Sequence, residues 1–358
     1  PQYSANGQRY RMSPPIQTRR QVVRRFVIRF AGSCLVLFTL ITWIPSGWVA
    51  DPANRLTGEL LGVVLELLGL TVTVNGVLVQ AGGFSVKIIT ECTAIFVFIL
   101  FFAFLFSYPA SVKDKGLGLA VGIPALFCFN LFRLVFVFFT GMKRPDFFDM
   151  VHVYLGQIAM VLVVLTACMM WLRTATGVST GDSPASFVCR FLAWSTLPFL
   201  LWLGLHEAYV VAQLHGIKAF LTLLGYKYQV METVEIYPTS FNTFNLVTYT
   251  ALILATQAIE WRRKVTALIL GLAMLSVTHF AFRLSQILFV DYDQQFAFRP
   301  FIALIIINEW ILPFALWLAI AWKMVFRSSG IHTCPVCGKQ VKGLEDHVRA
   351  VHGNAALR

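Results

Sequence analysis

Eight stretches of this chain stay apolar for about the 20 residues that a helix needs to cross a bilayer core ~30 Å thick. They are 26–50, 91–108, 116–139, 151–172, 187–212, 243–260, 264–290 and 299–325. Lipid offers the backbone no hydrogen-bond partner, so only helices or closed barrels span it. These runs are continuous and do not alternate at period two, which excludes a barrel. Composition agrees, with 58% hydrophobic and 13% charged residues, against about 25% charged in soluble domains. A water-soluble enzyme and a disordered chain are both excluded. The expected fold is an all-α polytopic membrane protein with about eight transmembrane helices. Two shorter apolar segments, 56–74 and 215–225, read as interfacial or re-entrant helices.

The 29 Lys and Arg against 17 Asp and Glu leave a net charge of +12. In a membrane protein such a surplus marks cytoplasmic loops. With the N-terminus inside, 20 basic residues fall on the inner side, including Arg9 to Arg29, Lys113, Lys115 and Arg262 to Lys264. Seven fall outside: Arg55, Lys87, Lys143, Arg144, Lys218, Lys227 and Arg299. Both termini are therefore expected in the cytoplasm, and nucleic acid is not an expected partner. The first apolar stretch is too long for the core of a signal peptide.

Arg133 and Arg283 lie inside apolar spans. An Arg there costs at least ~2.5 kcal/mol on insertion scales, so it calls for a partner, a water-filled site, or snorkelling to the interface. A shift of about 150 residues places Arg133 on Arg283, Lys113–Lys115 near Arg262–Lys264, and Glu91-Cys92-Thr93 on Phe241-Asn242-Thr243. Two parallel four-helix repeats follow. The organisation reads as a basic tail (1–25), a catalytic membrane domain (26–173), a degenerate membrane repeat (187–325) and a small cytoplasmic module (331–353). The second copy lacks the chemistry: Asn242 replaces Cys92, and no His matches His152.

In the first copy, Cys92, Arg133 and His152 come from three consecutive spans at the same outer depth, as a Cys/His site requires. Asn130 lies three residues before Arg133, on the same helix face. Glu91, Asp146 and Asp149 are candidates to orient the imidazole. A helix N-terminus and cationic neighbours lower a thiol's pKa, and Cys92 is expected to begin a helix. His152 can move a proton near neutral pH. Arg133 stays charged and can hold an oxyanion or a carboxylate. Each residue alone also fits a structural role: a buried thiol, an interfacial imidazole, a headgroup contact.

Glu91-Cys92-Thr93-Ala94, Asn130-Leu131-Phe132-Arg133 and His152 resemble, in order, topology and spacing, the landmarks of the exosortase/archaeosortase family of membrane transpeptidases. The resemblance covers about residues 50–172. The family often has Gly where Ala94 stands. The resemblance implies a cysteine peptidase/transpeptidase with Cys92 as nucleophile, Arg133 essential and His152 third. It also implies a prokaryotic cytoplasmic membrane, an extracytoplasmic site, and secreted proteins bearing C-terminal sorting signals as substrates. Cleavage would pass through a thioester to an amine, a hydroxyl or water.

The tail reads Cys334-x2-Cys337-x9-His347-x4-His352, two thiolates and two imidazoles suited to tetrahedral Zn²⁺. Such a finger would be structural, with an unidentified cytoplasmic partner. Membrane lipid is the remaining expected partner. Two other readings stand beside the enzyme. One is a transporter or lipid flippase with Arg133 and Arg283 binding an anionic substrate. The other is a receptor signalling through the finger.

Overall fold

The computed structural model describes residues 19–148, 150–176, 183–227, 243–257, 259–325, 331–333 and 340–342. The first half comprises α1 (Arg19–Trp43), α2 (Ala50–Leu67), β1 (Val72–Asn75), β2 (Leu78–Ala81), β3 (Phe84–Lys87), α3 (Ile95–Ser107), α4 (Val112–Lys143) and α5 (Gly156–Thr176). The second half comprises α6 (Pro184–Leu223), α7 (Asn245–Ala255), α8 (Trp261–Val290), α9 (Phe298–Ile306) and α10 (Leu312–Val325), followed by the short strands β4 (Ile331–Thr333) and β5 (Gln340–Lys342). Three described helices, α4, α6 and α8, are long and apolar enough to cross a membrane. The apolar helices α3, α7 and α10 are shorter. Strongly basic residues occupy the first half of α1.

The expectation of an all-α chain is corrected by the first sheet. Val72–Lys87 folds as a three-stranded antiparallel meander in the order β1-β2-β3. The sequence there alternates, with Val79 and Ala81 buried and Thr73, Gln80, Ser85 and Lys87 exposed. Gly82 and Gly83 both take positive φ, 58° and 78°, as a two-residue turn between twisted strands demands. The segment 56–74 is thus two elements, with α2 ending before β1 begins. The segment 215–225 is not separate either: α6 continues to Leu223, since Gly216 alone does not stop a helix.

α2 buries one stripe, Asn54, Thr57, Gly58, Leu61, Gly62 and Leu65, the spacing of one helix face. Its two glycines let the sheet lie close. A Cβ on Gly58 would meet the Gly76 carbonyl, and one on Gly62 would meet Val74. Leu61, Leu65, Val79, Ile88, Cys92, Leu134 and Phe138 close this small core between α2, the sheet and α4.

α4 starts at Ser111, whose hydroxyl accepts from the Asp114 N–H (3.1 Å) and donates to the Asp114 carboxylate (2.6 Å). Farther on, Gly118 faces Trp171 and Gly122 faces the Phe101 ring, each with no room for a side chain. Small residues four apart let helices approach closely in lipid. That approach sets α4 against α3 and α5. One apolar core then runs from Phe26, Phe30 and Phe38 of α1 through Phe101 and Phe104 to Phe314 and Trp317 of α10.

Several contacts recur in the two halves. Lys115 donates to the Phe106 carbonyl at 2.9 Å, and Lys264 to the Leu254 carbonyl at 2.8 Å. Gly271 lies under the Tyr249 ring as Gly122 lies under Phe101. A π-helical turn precedes the last helix of each half, Met150–Leu155 before α5 and Ile307–Ile311 before α10.

Candidate active site

The strand β3 leads through Ile88 and Ile89 into a 3-10 turn, Thr90–Cys92. The Cys92 N–H closes that turn on the Ile89 carbonyl at 2.8 Å. Thr93 reinforces it, its hydroxyl donating to the Thr90 carbonyl at 2.7 Å. Ala94 then takes a left-handed conformation, φ 48° and ψ 3°, and caps α3. Cys92 was expected to begin the helix; the structure places it in the turn before, outside the apolar span of α3.

Cys92 is 4% exposed. Burial is the largest influence on its thiol and pushes the pKa above the ordinary value. A backbone hydrogen bond at Ile89 and the charge of Arg133 pull it down, and Glu91 pushes it up. The expected lowering is therefore outweighed, because the turn tucks the sulfur among Leu61, Leu65, Ile88 and Phe138.

Asn130, 1% exposed, ties this turn to α4. Its side-chain amide donates to the Cys92 carbonyl at 2.7 Å, and its Oδ1 accepts from Arg133 Nε at 3.2 Å. A buried Asn satisfied on both sides fixes its orientation and that of its partners. The guanidinium then lies against the first residue of α5. A Cβ on Gly156 would stand 3.0 Å from Arg133 Nη1 and 3.5 Å from Arg133 Cδ. Gly156 thus leaves the space that Arg133 fills.

His152 sits in the π turn Met150–Leu155, one helical turn before Gly156. The extra residue per turn of a π-bulge re-aims side chains and is frequent at functional sites. The imidazole is half-buried and stacks on Phe148, with ring centroids 5.3 Å apart and planes within 12°. Phe148 in turn meets Phe84 of β3 at 5.6 Å. Contacts therefore join Cys92, Asn130 and Arg133, and an aromatic chain ties His152 to the strand that leads into Cys92. Glu91 and Asp146 are exposed. Asp149 lies outside the described residues.

The second half has no Cys/His set among its described residues at these positions. Arg283 is 6% exposed and donates from Nη1 to Gln286 Oε1 at 2.6 Å. Its partner thus lies one turn after it, whereas that of Arg133 lies one turn before. Asn245 donates to the Asn308 carbonyl at 2.8 Å, and Asn308 to the Thr278 carbonyl at 3.2 Å. Tyr209 meets His279 Nδ1 at 2.9 Å and accepts from Gln213 at 2.6 Å. Sequence reading named none of these amides. Gly156 also escaped it, although its position four residues after His152 was visible. Asn242 and the four tail residues Cys334, Cys337, His347 and His352 lie outside the described residues. β4 and β5 pair antiparallel and bracket Cys334 and Cys337 in the sequence.

Residues 21–172 match the family described as Transmembrane exosortase (Exosortase_EpsH). No curated protein and no solved structure matches the chain. The matched stretch contains Cys92, Asn130, Arg133, His152 and Gly156. The similarity to that family rests on α1 to α5 and covers less than half of the chain.

Proposed function

We propose that the chain is a membrane cysteine transpeptidase or peptidase acting on C-terminal sorting signals of secreted proteins at the extracytoplasmic face. The observation that carries this reading is the Cys92–Asn130–Arg133 connection, which holds a permanent cation beside a thiol within the family-matched segment. The Cys92 thiol gives its proton to His152 and, as thiolate, attacks the scissile carbonyl, its sulfur–carbon bond forming as the carbonyl becomes an oxyanion. Arg133 steadies that charge. The carbon–nitrogen bond then breaks, and His152 gives a proton to the departing amine. The acyl group remains on Cys92 as a thioester, and the helix and basic tail leave. An acceptor amine, hydroxyl or water attacks next, loses its proton to His152 and releases the thiolate.

On this reading α6 to α10 form a non-catalytic partner repeat, consistent with the recurring Lys115/Lys264 and Gly122/Gly271 contacts. The donor set Cys334, Cys337, His347 and His352 suits a structural zinc with no open position. The deciding experiment follows the size of a tagged secreted protein that ends in a short motif, a membrane helix and a basic tail. Cells with Cys92→Ala should accumulate the uncut form. Normal shortening by that variant would sink the reading.

A further inference from the structure

The sheet Val72–Lys87 stands immediately before the nucleophile turn, and one of its edges pairs with no described residue. In β3 the backbone of Val86 pairs with Val79, and the Ile88 N–H donates to the Val77 carbonyl at 2.8 Å. In an antiparallel ladder successive residues face opposite edges. The N–H and C=O of Ser85 and Lys87 therefore point away from β2. No described residue hydrogen-bonds to them, and both residues are exposed. The other face of the strand is anchored. Phe84 meets Phe138 at 5.3 Å and Phe148 at 5.6 Å, and Gly141 lies under its ring. The opposite edge of the sheet, β1, packs on α2.

The two ends of β3 lead to the two reactive groups. Its first residue, Phe84, reaches His152 through Phe148. Its last, Lys87, is followed by Ile88, Ile89 and the turn that holds Cys92. An unpaired edge is a liability that proteins usually cover, and among the described residues the shortness of the strand and Lys87 blunt it. We propose that the extended segment of the substrate next to its scissile bond pairs with β3 as a fourth strand. The backbone of Ser85 and Lys87 grips the peptide main chain, and the strand direction delivers the scissile carbonyl to Cys92. Main-chain pairing gives affinity for an extended peptide of varied sequence, and alternate side chains facing α4 are selected by contact. This proposal rests on the transpeptidase reading and adds how the substrate is held.

The test uses the full-length protein in detergent. Its substrate is the tagged secreted protein that ends in a short motif, a membrane helix and a basic tail. Ser85→Pro removes one outward N–H and leaves the inward pairing of Val86 and Ile88, a position where an edge strand tolerates Pro. KM should rise about tenfold, as for the loss of one main-chain hydrogen bond, with kcat little changed. Peptides of the cleaved segment carrying single backbone N-methyl groups are then used as competitors of the wild-type protein. Inhibition should be lost at every second position and kept between. This second arm holds even if Ser85→Pro does not fold.

An unchanged KM for folded Ser85→Pro, or N-methyl effects without a period of two, overturns the edge pairing. So does a photo-crosslinker at Ser85 that yields only a doubled chain, which would assign the edge to a second copy. Those results leave the transpeptidase reading standing while Cys92→Ala is inactive. Normal shortening by Cys92→Ala removes both.

Discussion

The side-chain amide of Asn130 reaches from the middle of α4 to the Cys92 carbonyl, 2.7 Å away, and makes the nucleophile turn part of that helix. The same side chain accepts from Arg133. One buried residue thus positions both the sulfur and the cation.

Asn130→Ala should lower stability by about 1–3 kcal/mol, because a buried carbonyl loses its donor. It should also reduce processing of the tagged substrate more than its effect on melting explains. Thermal unfolding in detergent and the processing rate, read side by side, separate the two. A variant that melts earlier yet processes at the wild-type rate would reduce Asn130 to a packing role.

The thiol of Cys92 should react slowly at neutral pH. Thiolate is the reactive form, and burial raises the pKa of this thiol. Alkylation by a small uncharged reagent should therefore climb with pH through a midpoint above the usual ~8.5. Arg133 lowers the value and Glu91 raises it. Arg133→Gln should then move the curve to higher pH and Glu91→Gln to lower pH. Mass spectrometry of the Cys92 peptide reads the rate. A downward move in Arg133→Gln would contradict the placement of that charge.

Gly156→Ala inserts a methyl group 3.0 Å from Arg133 Nη1. Ala favours a helix over Gly by up to ~1 kcal/mol, so stability should hold or rise. Processing should fall, by about tenfold or more, as the guanidinium is displaced. Gly204→Ala, which meets nothing within 4 Å on α6, is the control. Equal activity in both variants would remove Gly156 from the site.

Purified protein should carry one equivalent of zinc, lost in Cys334→Ser. Its removal by a chelator should leave the pH curve of Cys92 alkylation unchanged, because four protein ligands make a closed structural site. Elemental analysis and the alkylation assay together check this. Wild-type protein free of zinc would dismiss the finger.

Long apolar runs made α4, α6 and α8 legible as helices long enough to span a membrane, and i, i+3 spacing was enough to pair Asn130 with Arg133. The sheet was not legible, because its alternation is only four residues per strand and abuts the apolar end of α2. Its glycines, Gly76 and Gly82-Gly83, were the readable sign of the turns. The conformation of Ala94 was hidden for a different reason. Left-handed backbone is normally announced by Gly, and Ala at φ 48° is held there by the Thr93 turn and α3. The burial of Cys92 was equally invisible, since it depends on Leu61 and Phe138 from distant elements meeting over it.

That burial has a consequence for survival of the protein. On the proposed topology the thiol works at a face where oxidants form disulfides and where thiolates climb irreversibly to sulfinic and sulfonic acids. Burial shields Cys92 and favours its protonated form. On that reading oxidative loss of the thiol should accompany turnover more than rest, because the buried, protonated form is the less reactive one.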